Sequence, residues 1–394
     1  MSQLPTARTS VSGLLDLDRI ASDEERAMQG AVRKFVQDQV RPHISEWFEG
    51  AALPARELAR ELGKIGVLGM HLQGYGCVGA SAMSYGLACL ELEAGDSGLR
   101  SLVSVQGSLA MFAIHAYGSE AQREQWLPQM ATGEFVGCFG LTEADHGSDP
   151  SSMRTRAVRS GEDWVLNGTK TWITNGDIAD VAVVWAQTAD GVRGFLVPRG
   201  TPGFSANRIH GKLSLRASVT SELVLQDVRL PAGALLPGAQ VLSAALSCLN
   251  EARFGIVFGA LGAARDCLDV ALEYATTRHQ FGRPIGSFQM IQERLADLAV
   301  EYGKGVVLAV HLARLKDEGR IRPEQVSVGK LNSSREALRI ARTARELLGA
   351  NGISAEYSIM RHMANLESVL TYEGTAQMHV LTIGRALTGY AAWR

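Results

Sequence analysis

Four short stretches of this chain carry residue types that could do chemistry. Thr371-Tyr372-Glu373-Gly374-Thr375 sets a carboxylate between an aromatic and a glycine, with the apolar segments NLESVL before it and MHVLTIG after it. A carboxylate in such surroundings is part-buried, and burial raises its pKa toward the range of a useful general base. Gly374 lets the backbone pass tightly beside a substrate. An ion-paired or helix-capping glutamate is the plain alternative for the same residues. Gly140-Leu141-Thr142-Glu143-Ala144-Asp145-His146-Gly147-Ser148-Asp149 gathers short hydroxyls and glycines. Backbone N–H groups there can approach an electron-rich ring or a phosphate, although a long turn between a helix and a strand looks the same. Lys170-Thr171-Trp172-Ile173-Thr174-Asn175 puts an aromatic and two hydroxyls at a strand end, where a lone tryptophan is more often core. Arg278-His279-Gln280-Phe281-Gly282, with Gln289 and Gln292 beyond, ends a helical run with a cation that could serve a pyrophosphate or simply be solvated. His146 and Asp149 have no partner ligand at helix spacing, so no metal is expected.

The elements that must position these stretches change character twice. Up to about Thr132 the periodicity is helical. Ser22-x-x-Glu25 is a capping-box signature, after which Met28, Val32, Phe35, Val36 and Val40 recur at helical spacing until Pro42 stops the run. Further helices are expected over about 55–67, 82–95, 100–117 and 119–132. From Gly133 short runs such as WVLNG, VAVVWAQ, GFLVP and ELVLQDV alternate with turn residues. The breaks are too close for intervening helices, which predicts an antiparallel sheet or small barrel. Long helical patterns return over 242–279, 286–317, 324–349 and 354–390. The expected fold class is thus α+β multidomain: helical over 1–132, a middle antiparallel β-barrel or sandwich over 133–236, and a helical bundle over 237–394.

The 394 residues are 46% hydrophobic and 20% charged, which is ample for a large core. With 39 Lys+Arg against 41 Asp+Glu the net charge is -2, and no run of like charge offers itself to phosphates or acidic lipids, so neither a nucleic-acid partner nor membrane insertion is expected. The five cysteines (Cys77, Cys89, Cys138, Cys248, Cys267) form no CxxC pair and read as buried thiols in a reducing compartment. The opening MSQLPTARTSVSGLLDLDRIASDEER lacks an apolar run and carries Asp16, Asp18 and Asp23, so a cytoplasmic chain is expected. Neither G-x-G-x-x-G after a strand nor a P-loop is present, so a nucleotide cofactor would sit at the seam of helices and sheet.

Taken together and in this order, the four stretches resemble the acyl-CoA dehydrogenase family over roughly residues 15–392. One family signature stands as GLTEADHGSDPSS (140–152) and a second as ELLGANGISAEYSIMRHMAN (346–365), with TWITN, RHQFG and TYEGT in register. CFGLTEADHGSDPSSM, GKLSLRAS, CLNEARFGI, NGISAEY and GDSGLRSLVSVQGSL (95–109) are similar to the branch that acts on glutaryl-CoA. The resemblance implies an N-terminal helical domain, a middle β domain and a C-terminal four-helix bundle. It also implies FAD between the β domain and the C-terminal helices, a homotetramer, and an electron-transferring flavoprotein as acceptor. The implied reaction is α,β-dehydrogenation of an acyl-CoA, with glutaryl-CoA oxidised and decarboxylated to crotonyl-CoA. Alternatives are dehydrogenation or oxidation of another short acidic or branched acyl-CoA without decarboxylation, and a non-dehydrogenating flavin-binding protein.

By the same resemblance Glu373 is the base that takes the α-proton, with its backbone N–H stabilising the enolate oxygen. Phe139, Leu141, Thr142, Gly147, Ser148, Trp172, Ile173 and Thr174 match flavin-contacting positions. Arg278, Phe281, Gln289, the loop Glu346, Leu347, Leu348, Gly349, Ala350, and Thr375 match contacts to the adenine dinucleotide part, some from a neighbouring copy. Ser148, Leu246, Asn250, Arg253 and Gly374 match CoA or acyl contacts, and Arg253 and Arg278 are among the local cations expected to hold CoA phosphates. Arg100 is the residue expected to read the substrate, pairing with a distal carboxylate. Ser101 and Ser104 add hydroxyls, and Glu93 and Tyr372 flank the same subsite. Internal pairing of Arg100 with Asp96, four residues before it, is the alternative. Without either partner a buried Arg100 would carry an uncompensated charge.

Overall fold

The computed structural model describes residues 9–16 and 19–392. The expected outer segments extend to residues 1–8, 17, 18, 393 and 394, which lie outside the described residues. The first helices are α1 (Val11–Leu14), α2 (Asp23–Phe35), α3 (Ile44–Glu49) and α4 (Ala55–Lys64), followed by the ribbon β1 (Gln73–Gly74) and β2 (Cys77–Val78). Then come α5 (Ala82–Gly95), α6 (Ser97–Ser104), α7 (Phe112–Tyr117) and α8 (Glu120–Ala131). α2 opens on the Ser22–Glu25 capping box, in which hydroxyl and carboxylate satisfy two orphan backbone donors reciprocally. α8 opens on a second box, Ser119 with Gln122. α5 is buried at every position, as its apolar run on all sides requires.

The helix expected over 100–117 is α6, a π-helical stretch Val105–Met111 and α7. On the π stretch the buried Gln106 donates to Met130 O (2.9 Å) and Phe135 O (2.8 Å) and accepts from Gly137 N (2.7 Å). One amide thereby ties the helical block to the first strand of the sheet.

That sheet comprises β3 (Gly137–Gly140), β4 (Arg156–Ser160), β5 (Asp163–Thr174), β6 (Val181–Thr188), β7 (Gly191–Pro198), β8 (Phe204–Arg208) and β9 (Thr220–Leu230). Its order is β3-β6-β4-β5-β9-β8, with β7 also beside β6. Most pairings are antiparallel, as expected from the short turns. The expectation of a purely antiparallel sheet is corrected by two parallel pairings, β3 with β6 and, at Arg156–Gln187, β4 with β6. The chain reaches β6 from β3 only after 141–180, and a connection of that length can return a strand in the same direction.

The last block holds α9 (Leu242–Thr277), the hairpin β10 (His279–Gln280) and β11 (Arg283–Pro284), α10 (Gln289–Asp317), α11 (Pro323–Leu347), α12 (Ile359–Thr371) and α13 (Ala376–Thr388). The single helix expected over 354–390 is in fact α12 and α13, broken at Tyr372–Thr375. Glu373 (φ 52°) and Gly374 (φ 91°) both lie in the left-handed region, which a continuous α-helix cannot contain. Among the described residues no helix is long and apolar enough to cross a membrane.

α9 and α5 approach closely enough to exclude side chains. A Cβ on Gly262 would lie 1.9 Å from Leu90 O, and one on Gly259 would lie 2.1 Å from Glu93 Oε2. α12 is tied to the β domain by Asn365 Oδ1, which accepts from Leu215 N (2.8 Å), and by Ser368 Oγ against Ser214 Oγ (2.6 Å). The break after α12 is therefore held from both the helical and the sheet side.

Candidate active site

The break between α12 and α13 is a turn whose three successive carbonyls are each held by a cation. Lys330 Nζ, from α11, donates to Tyr372 O and to Gly374 O (2.8 Å). Arg253 Nε, from α9, donates to Glu373 O (2.7 Å). Thr375 then caps α13, its hydroxyl accepting from Met378 N (3.3 Å). A left-handed non-glycine residue is costly and persists only where the surroundings over-determine it, as these donors do. Gly374 suits this position, because its φ of 91° strains any other residue and a Cβ would stand only 3.1 Å from both Arg253 Nη2 and His379 Nε2.

The cations take the backbone and leave the carboxylate alone. Glu373 Oε2 is buried without a hydrogen-bond partner. Burial pushes the Glu373 carboxyl above its ordinary range, against the opposing pull of Arg253, Lys330 and Arg100. The Glu373 N–H, just past the last turn of α12, has no acceptor among the described residues. A carboxylate of raised pKa beside a free backbone donor can take a proton and hold the negative charge that results. The neighbouring cation and imidazole feel the same burial: it pushes Lys330 down to about 7 and His379 down to about 3.

Arg100 reaches this turn from α6. Its Nη2 donates to Tyr372 Oη, and its guanidinium carbon lies 5.5 Å from the centre of the Tyr372 ring. Its Nε donates to Glu93 Oε2 (2.7 Å), and Ser97 Oγ donates to Glu93 Oε1 (2.9 Å). Both ends of this pair are buried, in space that Gly259 leaves open. The expected alternative of pairing with Asp96 is overturned. Asp96 is occupied by Arg361 (2.8 Å), Asn365 (2.9 Å) and the N–H of Gly98 (2.7 Å) at the start of α6. Even without a ligand Arg100 is not left uncompensated, because Glu93 balances it. Of the five guanidinium N–H groups, one goes to Glu93 and one to Tyr372, so three remain for a ligand. Ser101 Oγ, on the same helix, is buried and unpartnered, while Ser104 is buried one turn on.

Leu246, Asn250 and Arg253 lie at i, i+4 and i+7 on α9, so they share one face. Leu246 is exposed and Asn250 half-buried. Arg253 donates from Nε to Glu373 O and from Nη1 to Asn250 Oδ1 (3.3 Å).

The two stretches at the sheet are brought together by Thr171 N, which donates to Thr142 O (2.9 Å). Trp172 lies in the left-handed region (φ 59°) and is 61% exposed, so it is not a core tryptophan. Thr142 and Thr174 are half-buried and the Gly147–Ser148 tip is exposed. Phe139, Leu141 and Ile173 send their side chains into the cores, so only their backbone is available to a ligand. An exposed aromatic, two hydroxyls and a glycine-serine tip at one sheet end make a surface that a flat, polar-edged ring system fits. The buried Lys170 supports it, donating to Leu141 O (3.0 Å) and Glu143 Oε1 (2.8 Å). Glu143 also accepts from Arg154 N (2.6 Å) and Thr155 N (2.9 Å). Burial opposes its ionisation, yet the bonds from Lys170 and Thr155 hold its pKa down to about 2.

The remaining expected positions stand apart. Phe281 (92% exposed, φ 54°) and Gly282 form the tip of the β10–β11 hairpin. Arg278 and Gln289 are exposed on either side of it. Glu346 pairs with Arg294 (3.3 Å), Leu347 and Leu348 are buried in the core, and Gly349 (φ 60°) and Ala350 are exposed. No hydrogen bond or ion pair joins Arg278, Phe281 or Gln289 to the Glu373 turn among the described residues.

Sequence reasoning missed Lys330 and the Glu143–Lys170 pair. Lys330 had a visible signal: Val326, Ser333 and Ala337 share its stripe on α11, and a lysine in such a stripe needs a partner. The Glu143–Lys170 pairing had none, since it depends on how the loop closes over the sheet.

Family models for acyl-CoA dehydrogenase match this chain in three parts: the N-terminal domain over residues 22–134, the middle domain over 138–228 and the C-terminal domain over 242–388. The sequence is similar to glutaryl-CoA dehydrogenase of Desulfococcus multivorans, 34% identical over 376 residues, covering 92% of this chain and 96% of that one. The structure is similar to that of glutaryl-CoA dehydrogenase from Mycobacterium smegmatis, with TM-score 0.97 and 67% identity over 98% of this chain and 100% of that one. It is also similar to a glutaryl-CoA dehydrogenase from Mycobacterium smegmatis in complex with FADH2, with TM-score 0.97 and 63% identity over the same shares.

Proposed function

The chain belongs to the acyl-CoA dehydrogenase family, and from that premise we propose that it oxidises glutaryl-CoA and decarboxylates the product to crotonyl-CoA. It is an FAD-dependent acyl-CoA dehydrogenase. FAD, held at Thr142, Ser148, Trp172 and Thr174 and the backbone of Phe139, Leu141 and Ile173, supplies the acceptor for the β-hydride. The chain's own residues do the rest. Glu373 takes the α-proton of the thioester, and its backbone N–H holds the carbonyl oxygen as charge develops there. Leu246, Asn250, Gly374 and the Gly147–Ser148 tip line the thioester and CoA.

Arg100 is the single observation that carries the substrate reading. Its three remaining N–H groups, with the orphaned Ser101 hydroxyl, suit a carboxylate at the far end of a short acyl chain. After oxidation that carboxylate sits on the γ-carbon, allylic to the new double bond, so its C–C bond can release its electron pair into the enoyl thioester. Its C–C bond breaks, CO2 leaves, and the electron pair spreads to the thioester oxygen on the Glu373 N–H. Glu373, still carrying the α-proton, delivers it to Cγ. One base thus serves both steps without exchanging its proton with solvent.

A second reading, oxidation of a short uncharged acyl-CoA with no loss of CO2, is favoured by Glu93, which already balances Arg100. Anaerobic titration with glutaryl-CoA and butyryl-CoA, following flavin bleaching and CO2, separates the two. Preferential bleaching by glutaryl-CoA with stoichiometric CO2 supports the first, and preferential bleaching by butyryl-CoA supports the second. We assign the exposed Arg278, Phe281 and Gln289 and the Glu346–Ala350 loop, with Thr375, to the adenine dinucleotide part of FAD, shared between copies of a homotetramer. An electron-transferring flavoprotein is the proposed electron acceptor.

A further inference from the structure

We propose that Lys330 is a positioning residue for Glu373: its amine, bonded to the carbonyls on either side of the glutamate, fixes the left-handed turn that aims the carboxylate and supplies a nearby positive charge that favours its ionised form. This rests on the reading of Glu373 as the base. Lys330 is fully buried on α11, and its two bonds go to Tyr372 O and Gly374 O. A buried lysine is costly, and this one is spent on backbone oxygens while the intervening carboxylate stays unpartnered. A direct hydrogen-bonded ion pair would occupy the carboxylate; bonding to the flanking carbonyls leaves Oε2 open to a proton, while the nearby charge still favours the ionised form. Even as a neutral amine Lys330 keeps two N–H groups, one for each carbonyl, so the turn survives loss of the charge. The other groups acting on Glu373 are Arg253 from α9 and Arg100 from α6. His379 on α13 lies beside Gly374, and Glu93 on α5 is held by Arg100.

Two variants test it in the FAD-loaded enzyme. Lys330→Met keeps length and burial but removes both donors and the charge. Lys330→Gln keeps two donors without the charge. In Lys330→Met, deuterium exchange of the segment Tyr372–Thr375 should quicken about tenfold. Flavin reduction by glutaryl-CoA at saturation should fall roughly 10²-fold, with KM within about threefold of the parent. The acid limb should move to higher pH by about one unit, since losing a nearby cation favours the neutral carboxyl. Lys330→Gln should regain much of the rate and slow exchange while keeping the displaced limb. Exchange unchanged in Lys330→Met, or an unmoved acid limb with a rate loss equal to the FAD lost, would overturn the proposal. If no acyl-CoA bleaches the parent enzyme, the reading of the base falls, and deuterium exchange still decides whether Lys330 holds the turn.

Discussion

Two buried lysine–glutamate neighbourhoods in this molecule use the same residue types to opposite ends. At the sheet, Lys170 bonds directly to Glu143, and two backbone N–H groups complete the carboxylate. Glu143 is thereby held to about 2 and acts as a strut that closes the 140–155 loop. At the helix break, Lys330 bonds to the carbonyls flanking Glu373 and leaves its carboxylate unpartnered. Glu373 is pushed up by burial instead. Where a lysine's hydrogens go, more than how near it lies, separates a structural carboxylate from a basic one.

Exchanging Glu373 for its amide strains this contrast most. Glu373→Gln should retain FAD and lose roughly 10³-fold or more in flavin reduction by glutaryl-CoA. Stopped-flow bleaching measures it, and turnover near the parent's would place the base elsewhere. Removing the lysine of the strut should act on stability. Lys170→Met leaves Glu143 buried with its two backbone donors but without its cation, which costs up to about 3–5 kcal/mol in chemical denaturation. The pH dependence has a definite sign. A carboxylate with a depressed folded pKa stabilises fully above its unfolded value of 4.5 and loses that contribution as pH falls toward about 2. Lys170→Met should therefore unfold at a higher pH on acidification than the parent.

The fold was legible in outline. The capping box at Ser22 and the α-to-β-to-α change of period are local signals, and the box stands where the sequence placed it. The break in the last helix was not legible, because the left-handed pair Glu373–Gly374 is held by donors on α9 and α11 that are remote in sequence. The same holds for Arg100: helix spacing offered Asp96, whereas packing gave Asp96 to Arg361 and Arg100 to Glu93. Motif order marked the stretches that carry chemistry, but partners were settled only by the approach of helices.

Smaller effects sharpen the picture at the substrate end. Arg100→Met should erode the preference for glutaryl-CoA over butyryl-CoA by about 10²-fold, the worth of a charged hydrogen-bonded pair. Competition between the two thioesters reads it, and an unchanged preference would move carboxylate recognition off Arg100. Gly259→Ala should cost about 1–3 kcal/mol, because its Cβ would fall 2.1 Å from Glu93 Oε2. Thermal unfolding is the measurement, and a neutral result would mean that Glu93 and Arg100 can shift without penalty.

The contrast between the two glutamates is most directly tested by isotope-edited infrared titration of their carboxyl groups, assigned with Glu373→Gln and Glu143→Gln. Glu373 should take up its proton above 4.5, while Glu143 should stay ionised down to about 2. Both carboxyls titrating together, or Glu373 remaining ionised as far as Glu143 does, would contradict the assignment of one as base and the other as strut.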